Sequence, residues 1–209
     1  PVTPADVSLP VSFPVQWVEK FSSSSDTSQG RRVFWGRVAT GEAVVGQAVK
    51  VMPSGLTTTV VQVLDHARNP KSVAAGHSAG IVLDREVDVS RGDWLLAAGG
   101  EGDTLTATQS LSATVAWLDD EPLIAGRVYW ALHGHRWVKA KVQRIVHRLD
   151  IHTLAEDSAT QLEANAIGHI ELALQEPLAT RPFAVSRALG SMVLVDTASH
   201  KTSGALLVI

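Results

Sequence analysis

Alternation with a period of two runs through this chain and restricts it to strands. Val11, Phe13, Val15 and Trp17 alternate with Ser12, Pro14, Gln16 and Val18, which assigns the first four to one face of a strand. Residues 57–64 read TTTVVQVL, a β-branched run suited to a pleated backbone. Further strands are expected over 111–118, 127–133 and 136–149, with another period-two run over 81–89. In the longest of these, Trp137, Lys139, Lys141, Gln143 and Ile145 are assigned to one face, solvated at its lysines. Val138, Ala140, Val142, Arg144 and Val146 are assigned to the other, buried at its valines.

Turn signals punctuate these runs at Thr40-Gly41-Glu42, Pro53-Ser54-Gly55, Arg91-Gly92-Asp93, Gly99-Gly100, His133-Gly134-His135 and Asn165-Ala166-Ile167-Gly168, as all-β barrels require. The best helical candidate is one short turn near residues 154–163. The expected fold class is all-β, with two consecutive β-barrels. A chain of 209 residues has room for two domains of about 100 residues each. Glycine, glutamate and aspartate cluster over 99–103, the expected boundary. The resulting division is a linker over 1–10, a first barrel over 11–100 and a second over 103–209. Residues 22–29, SSSSDTSQ, read as a hairpin loop.

A net charge of −3 gives no global pull towards nucleic acid or an anionic membrane. The chain has no cysteine, hence no disulfide framework, thiolate metal site or cysteine nucleophile. No apolar run is long enough to span a membrane, and no secretory signal pattern is visible. The first residue is Pro1 rather than Met, from which a preceding segment is expected.

Motifs that carry chemistry are scarce. There is no G-x-x-x-x-G-K-[ST] phosphate loop, no G-x-G-x-x-G after a strand and no H-E-x-x-H. His133 and His135 flank a glycine at an expected hairpin tip, and His147 and His152 flank Asp150. Residues 147 and 152 differ by an odd number and fall on opposite faces of a strand, so no metal ligand is assigned. Asp119-Asp120-Glu121-Pro122 is read as a solvated acidic turn and Arg91-Gly92-Asp93 as a wet bend. Lys139, Lys141, Arg144, His147 and Arg148 form a basic stretch that alternation splits between two faces. No catalytic and no cofactor-binding residue is assigned.

Several strings, taken together and in order, resemble one family. They are Phe13-Pro14-Val15-Gln16-Trp17-Val18, Val51-Met52-Pro53-Ser54-Gly55, Asp88-Val89-Ser90-Arg91-Gly92-Asp93, Val146 to Leu154 (VHRLDIHTL), Asn165-Ala166-Ile167-Gly168 and Arg187 to Asp196 (RALGSMVLVD). They resemble the large, GTP-binding subunit of bacterial sulfate adenylyltransferase, whose strings include FPVQWV, V-x-P-S-G, D-[IV]-S-R-G-D, H-R-[VI]-D-V-N-T-L and N-[DE]-I-G. The chain departs from the family in the Ser-rich insertion after Val18 and in His152, where asparagine is usual.

The resemblance implies two barrels like domains two and three of elongation factor Tu-like GTPases. It also implies that the GTPase domain, with its GTP and Mg, is missing from this chain, which alone is expected to be inactive. The parent enzyme would convert ATP and sulfate to adenylylsulfate and pyrophosphate, coupled to GTP hydrolysis. The barrels would dock the small catalytic subunit and the GTPase domain of their own parent chain in a cytoplasmic heterodimer, with no nucleic-acid or membrane partner. Arg148, Asp150, Asn165 and Arg187, polar residues in the best-matching strings, are the expected partner contacts. The alternative is the tRNA-binding barrel pair of an elongation factor Tu-like translation factor, which the net charge and the split lysines disfavour.

Overall fold

The computed structural model describes residues 7–20, 32–65, 70–99 and 105–209. The Ser-rich segment 22–29, residues 1–6 of the expected linker and most of the expected boundary lie outside them. The chain divides into two compact units, 1–106 and 107–209. No helix occurs among the described residues.

The first unit holds β1 (Ser12–Lys20), β2 (Arg32–Arg37), β3 (Glu42–Val44), β4 (Ala48–Met52), β5 (Leu56–Leu64), β6 (Ser72–Ala74), β7 (Ser78–Leu83) and β8 (Trp94–Ala97). Six of them close into a barrel in the order β1-β2-β7-β5-β4-β8, with β1 paired to β8, while β3 and β6 form a separate ribbon. Phe13, Val15, Val51, Val63, Ile81 and Leu95 fill this core. β7 stops at Leu83, short of the run expected to reach Val89. The next residue, Asp84, accepts hydrogen bonds from the Thr58 hydroxyl at 2.6 Å and the Thr59 amide at 3.2 Å.

The second unit holds β9 (Thr108–Trp117), β10 (Leu123–Ile124), β11 (Val128–His133), β12 (Arg136–Leu149), β13 (Glu156–Asp157), β14 (Gln161–Leu162), β15 (Ile167–Leu178), β16 (Ser191–Asp196) and β17 (Thr202–Val208). The order β11-β16-β17-β9-β15-β12 is closed by pairing of β11 with β12, and β13 adds to the free side of β12. The short helix expected near 154–163 is replaced by β13 and β14: Glu156 and Asp157 pair with Leu149 and Arg148. Backbone partners offered by a neighbouring strand outweigh the weak helical tendency of a polar segment.

Two expected faces are corrected by β-bulges. In β1 the register shifts between Val15 and Trp17, so Trp17 emerges into solvent and Val18 packs towards the core instead. In β12 the register shifts at 142/144 and again at 145/147. Val138, Ala140 and Val142 are buried as expected, but Ile145 is also buried whereas Val146 is exposed. One extra residue per bulge inverts the alternation beyond it.

Trp117 anchors the second core. It is fully buried, meets Tyr129 edge-to-face with ring centroids 5.4 Å apart, and donates its indole N–H to the Glu121 carbonyl at 2.7 Å. Gly204 makes room for it, since a Cβ there would stand 3.0 Å from the indole ring. Trp117→Ala is expected to lower the stability of the second barrel by about 3–5 kcal/mol, measured by urea denaturation. An unchanged midpoint would contradict this packing.

Candidate functional site

The register places three of the four expected contact residues at one end of the second barrel. Leu149 of β12 lies opposite Ile167 of β15, and Ile167 lies opposite Ala116 of β9. Arg148, Asp150 and Asn165 therefore sit at the end where β9 and β12 finish and β15 begins. Arg187 lies in the connection from β15 to β16, at the opposite end with the β11–β12 hairpin tip. There the buried His133 ring donates from Nε2 to the Leu189 carbonyl at 3.0 Å. The four residues thus fall into two separate places.

Each of the first three is held locally. Arg148 faces Asp157 at 3.5 Å across the β12–β13 pair. Asp150 Oδ1 accepts from the Thr153 amide, the His152 amide and the Thr153 hydroxyl at 2.8, 2.9 and 3.0 Å. These donors, led by the Thr153 amide, hold its carboxyl below the usual carboxylate range. Asn165 takes the left-handed conformation, φ +66°, and its amide donates to the Trp117 carbonyl at 2.8 Å. Asparagine tolerates that backbone because its side chain is short and polar. Arg187 is exposed and its carbonyl accepts from the Ser191 hydroxyl at 2.8 Å.

The turn that Asp150 ties also carries an apolar feature that sequence reading passed over. Leu154, 73% exposed, and Ile151, 62% exposed, are the two most exposed large hydrophobic side chains among the described residues. Leu154 is held at φ +58°, and its amide donates to the Asp150 carbonyl at 2.8 Å. A leucine in left-handed backbone with its side chain in water is unfavourable on both counts.

The other motifs resolve into local structure. In the Arg91-Gly92-Asp93 bend, Asp93 is buried and its carboxylate accepts from the Ser90 amide at 2.9 Å. Asp119 accepts from the Ser203 hydroxyl at 2.6 Å, and Glu121 pairs with Arg127 at 2.7 Å. In the basic stretch, Arg144 forks onto Glu171, Arg148 faces Asp157 and His147 faces Glu156. The two arginines there are answered by carboxylates, and the tRNA-binding alternative is the less favoured one. The string Gly76-His77-Ser78-Ala79-Gly80 has the G-x-S-x-G spacing of a hydrolase nucleophile elbow, which sequence reading missed. Here the turn precedes Ser78, which opens β7 and pairs with Arg37, and no helix follows. An elbow needs the nucleophile between a strand and a helix, so the spacing is coincidental.

His147 does not meet His152. The second bulge in β12 turns His147 towards His169, directly opposite on β15, with ring centroids 4.4 Å apart. Glu156 of β13 brings Oε1 to 3.4 Å from His147 Nε2. Pairing across three strands is not written in residue spacing, and only the period-two pattern of β15 hinted at the face of His169.

The second unit matches one family model, and the fold matches solved structures. Residues 110–209 match the family described as GTP-eEF1A C-terminal domain-like. The crystal structure of sup35 complexed with GDP superposes with a TM-score of 0.81 at 20% identity, covering 98% of this chain and 48% of that one. The chain has two β-barrels whose fold resembles that of elongation factor Tu-like proteins. More particularly, its curated relatives include proteins named sulfate adenylyltransferase subunit 1, in keeping with the resemblance of the strings. It is 37% identical over 199 residues to sulfate adenylyltransferase subunit 1 of Sodalis glossinidius, covering 95% of this chain and 40% of that protein. It is 37% identical over 204 residues to the bifunctional enzyme CysN/CysC of Xylella fastidiosa, covering 97% of this chain and 31% of that protein. The chain thus spans well under half the length of these relatives. No helix among the described residues is long and apolar enough to cross a membrane.

Burial pushes the His133 imidazole down from 6.5 to about 4, partly opposed by its bond to the Leu189 carbonyl. The ring is neutral in the folded barrel, whereas the unfolded chain takes up a proton below its ordinary range. This contribution to stability is complete above about pH 6.5 and is lost as the pH falls towards 4. Between about pH 7.5 and about pH 5 the loss is expected to be about 2 kcal/mol in urea denaturation. His133→Gln should flatten that dependence, and an equally steep profile in the variant would contradict the assignment.

Proposed function

We propose that this chain forms the docking and coupling barrels of a sulfate adenylyltransferase large subunit, working in a cytoplasmic complex. The observation that carries this reading is the collinear match to sulfate adenylyltransferase subunit 1 along 95% of the chain. In the parent enzyme, ATP and sulfate give adenylylsulfate and pyrophosphate on a small catalytic subunit, and the uphill reaction is coupled to GTP hydrolysis. GTP and Mg are held by the GTPase domain of the parent. The barrels contribute no catalytic residue, in keeping with the absence of a phosphate loop from the sequence.

The catalytic subunit docks on the end of the second barrel that carries Arg148, Asp150 and Asn165. Two observations support that end. Ile151 and Leu154 project into solvent from a turn whose backbone is tied on both sides by Asp150. A pre-ordered apolar pair with charged neighbours is what an interface centre and its rim require. Arg187, at the other end, serves a second contact, suited to the GTPase domain of the parent. Movement of that domain with nucleotide state then biases how the barrels are held.

Gel filtration of this chain with the catalytic subunit should show co-elution. Ile151→Asp with Leu154→Asp should weaken the complex at least about tenfold without lowering the melting temperature, because both side chains are exposed. Full-strength binding by the double variant would contradict the assigned end. Calorimetry should detect no GTP binding to the chain alone, and saturable binding would contradict the assigned division of labour.

A further inference from the structure

We infer that His147, His169 and Glu156 form a binding site for a divalent transition metal of the zinc class on the outer wall of the second barrel. The three residues come from three adjacent strands, β12, β15 and β13. One potential ligand atom from each lies within 4.8 Å of the others. Around a tetrahedral zinc with bonds of about 2.1 Å, neighbouring ligand atoms stand roughly 3.4 Å apart. His147 Nε2 and Glu156 Oε1 already have that separation, 3.4 Å. His169 is the direct cross-strand neighbour of His147, and its ligand atom lies within 4.8 Å of the other two.

The state of His147 favours a ligand over a merely structural ring. Its Nε2 is shut off from solvent and makes no hydrogen bond among the described residues. The 3.4 Å approach of Glu156 is an ion pair only if the ring is protonated. A buried ring nitrogen left in this condition is uncommon and costly, and a metal ion removes the cost by taking its lone pair.

The backbone sets the ligands in place. The bulge at 145/147 turns His147 to the side of His169. Gly168 lets the strands come together there, because a Cβ at that position would lie 2.6 Å from the His147 carbonyl oxygen. Two imidazoles and one carboxylate, with no thiolate in the chain, suit Zn2+, Ni2+ or Cu2+ rather than Mg2+ or Ca2+. Three protein donors leave a fourth position for water. The bound ion would also bridge the two ends of the Asp150–Ala155 turn, since His147 precedes it and Glu156 follows it.

Calorimetric titration of the untagged chain with ZnCl2 near neutral pH should give one saturable site, and Co2+ should give the visible absorption of a four-coordinate centre. His169→Gln and His147→Gln should each weaken Zn2+ binding at least about tenfold. Glu156→Gln, at an exposed position where folding is not at risk, should weaken it by a smaller factor. His152→Gln should leave it unchanged. Absence of saturable Zn2+ binding would overturn the proposal. So would undiminished binding by both Glu156→Gln and a folded His169→Gln, which would place the ion elsewhere.

Discussion

Pairing of β11 with β12 is the contact on which the second unit depends. It runs from His133↔Arg136 at the hairpin tip to Val128↔Lys141. Without it, the strands from β11 to β13 would form an open seven-stranded sheet with an exposed edge on β11. With it, every strand of the ring has two neighbours, and one side of the sheet becomes an interior. Gly134, at φ +59°, allows the two-residue turn that starts this pairing. Burial of Trp117, Tyr129 and Leu172 follows from that closure, as does the neutral state of His133 beneath the 179–190 connection.

Much of this architecture was legible in the sequence. The β-branched run over 57–64, the alternation in β12 up to Val142 and the glycine at the hairpin tip each point to their element by local physics alone. The misassigned faces share one cause. A bulge adds a residue without altering the hydrophobic composition, so Trp17, Ile145 and Val146 were assigned to the wrong faces. The short strands β13 and β14 were equally hidden, because their stability comes from partners distant in sequence rather than from their own polar residues.

The same limit applied to the candidate sites. Arg148, Asp150 and Asn165 lie in strings that resemble known large subunits, and the structure gathers them at one barrel end. Arg187 lies in an equally good string and falls at the other end, because β15 carries the chain across the barrel between them. Exposure of Ile151 and Leu154 could not be read from residue type, since an apolar residue near a turn is ordinarily tucked under it. The His147–His169–Glu156 cluster required knowing a register across three strands.

The barrel end from Arg148 to Asn165 therefore combines a tied turn, an exposed apolar pair and a set of potential metal ligands beside it. We propose that this end receives the catalytic subunit of a sulfate adenylyltransferase. Hydrogen exchange of this chain with and without that subunit tests it most directly. Slowed exchange over residues 148–157 and 163–167, with the hairpin tip at 133–136 unchanged, is the predicted result. Unchanged exchange at those residues in a complex that has formed, with protection confined to other surfaces, would contradict it.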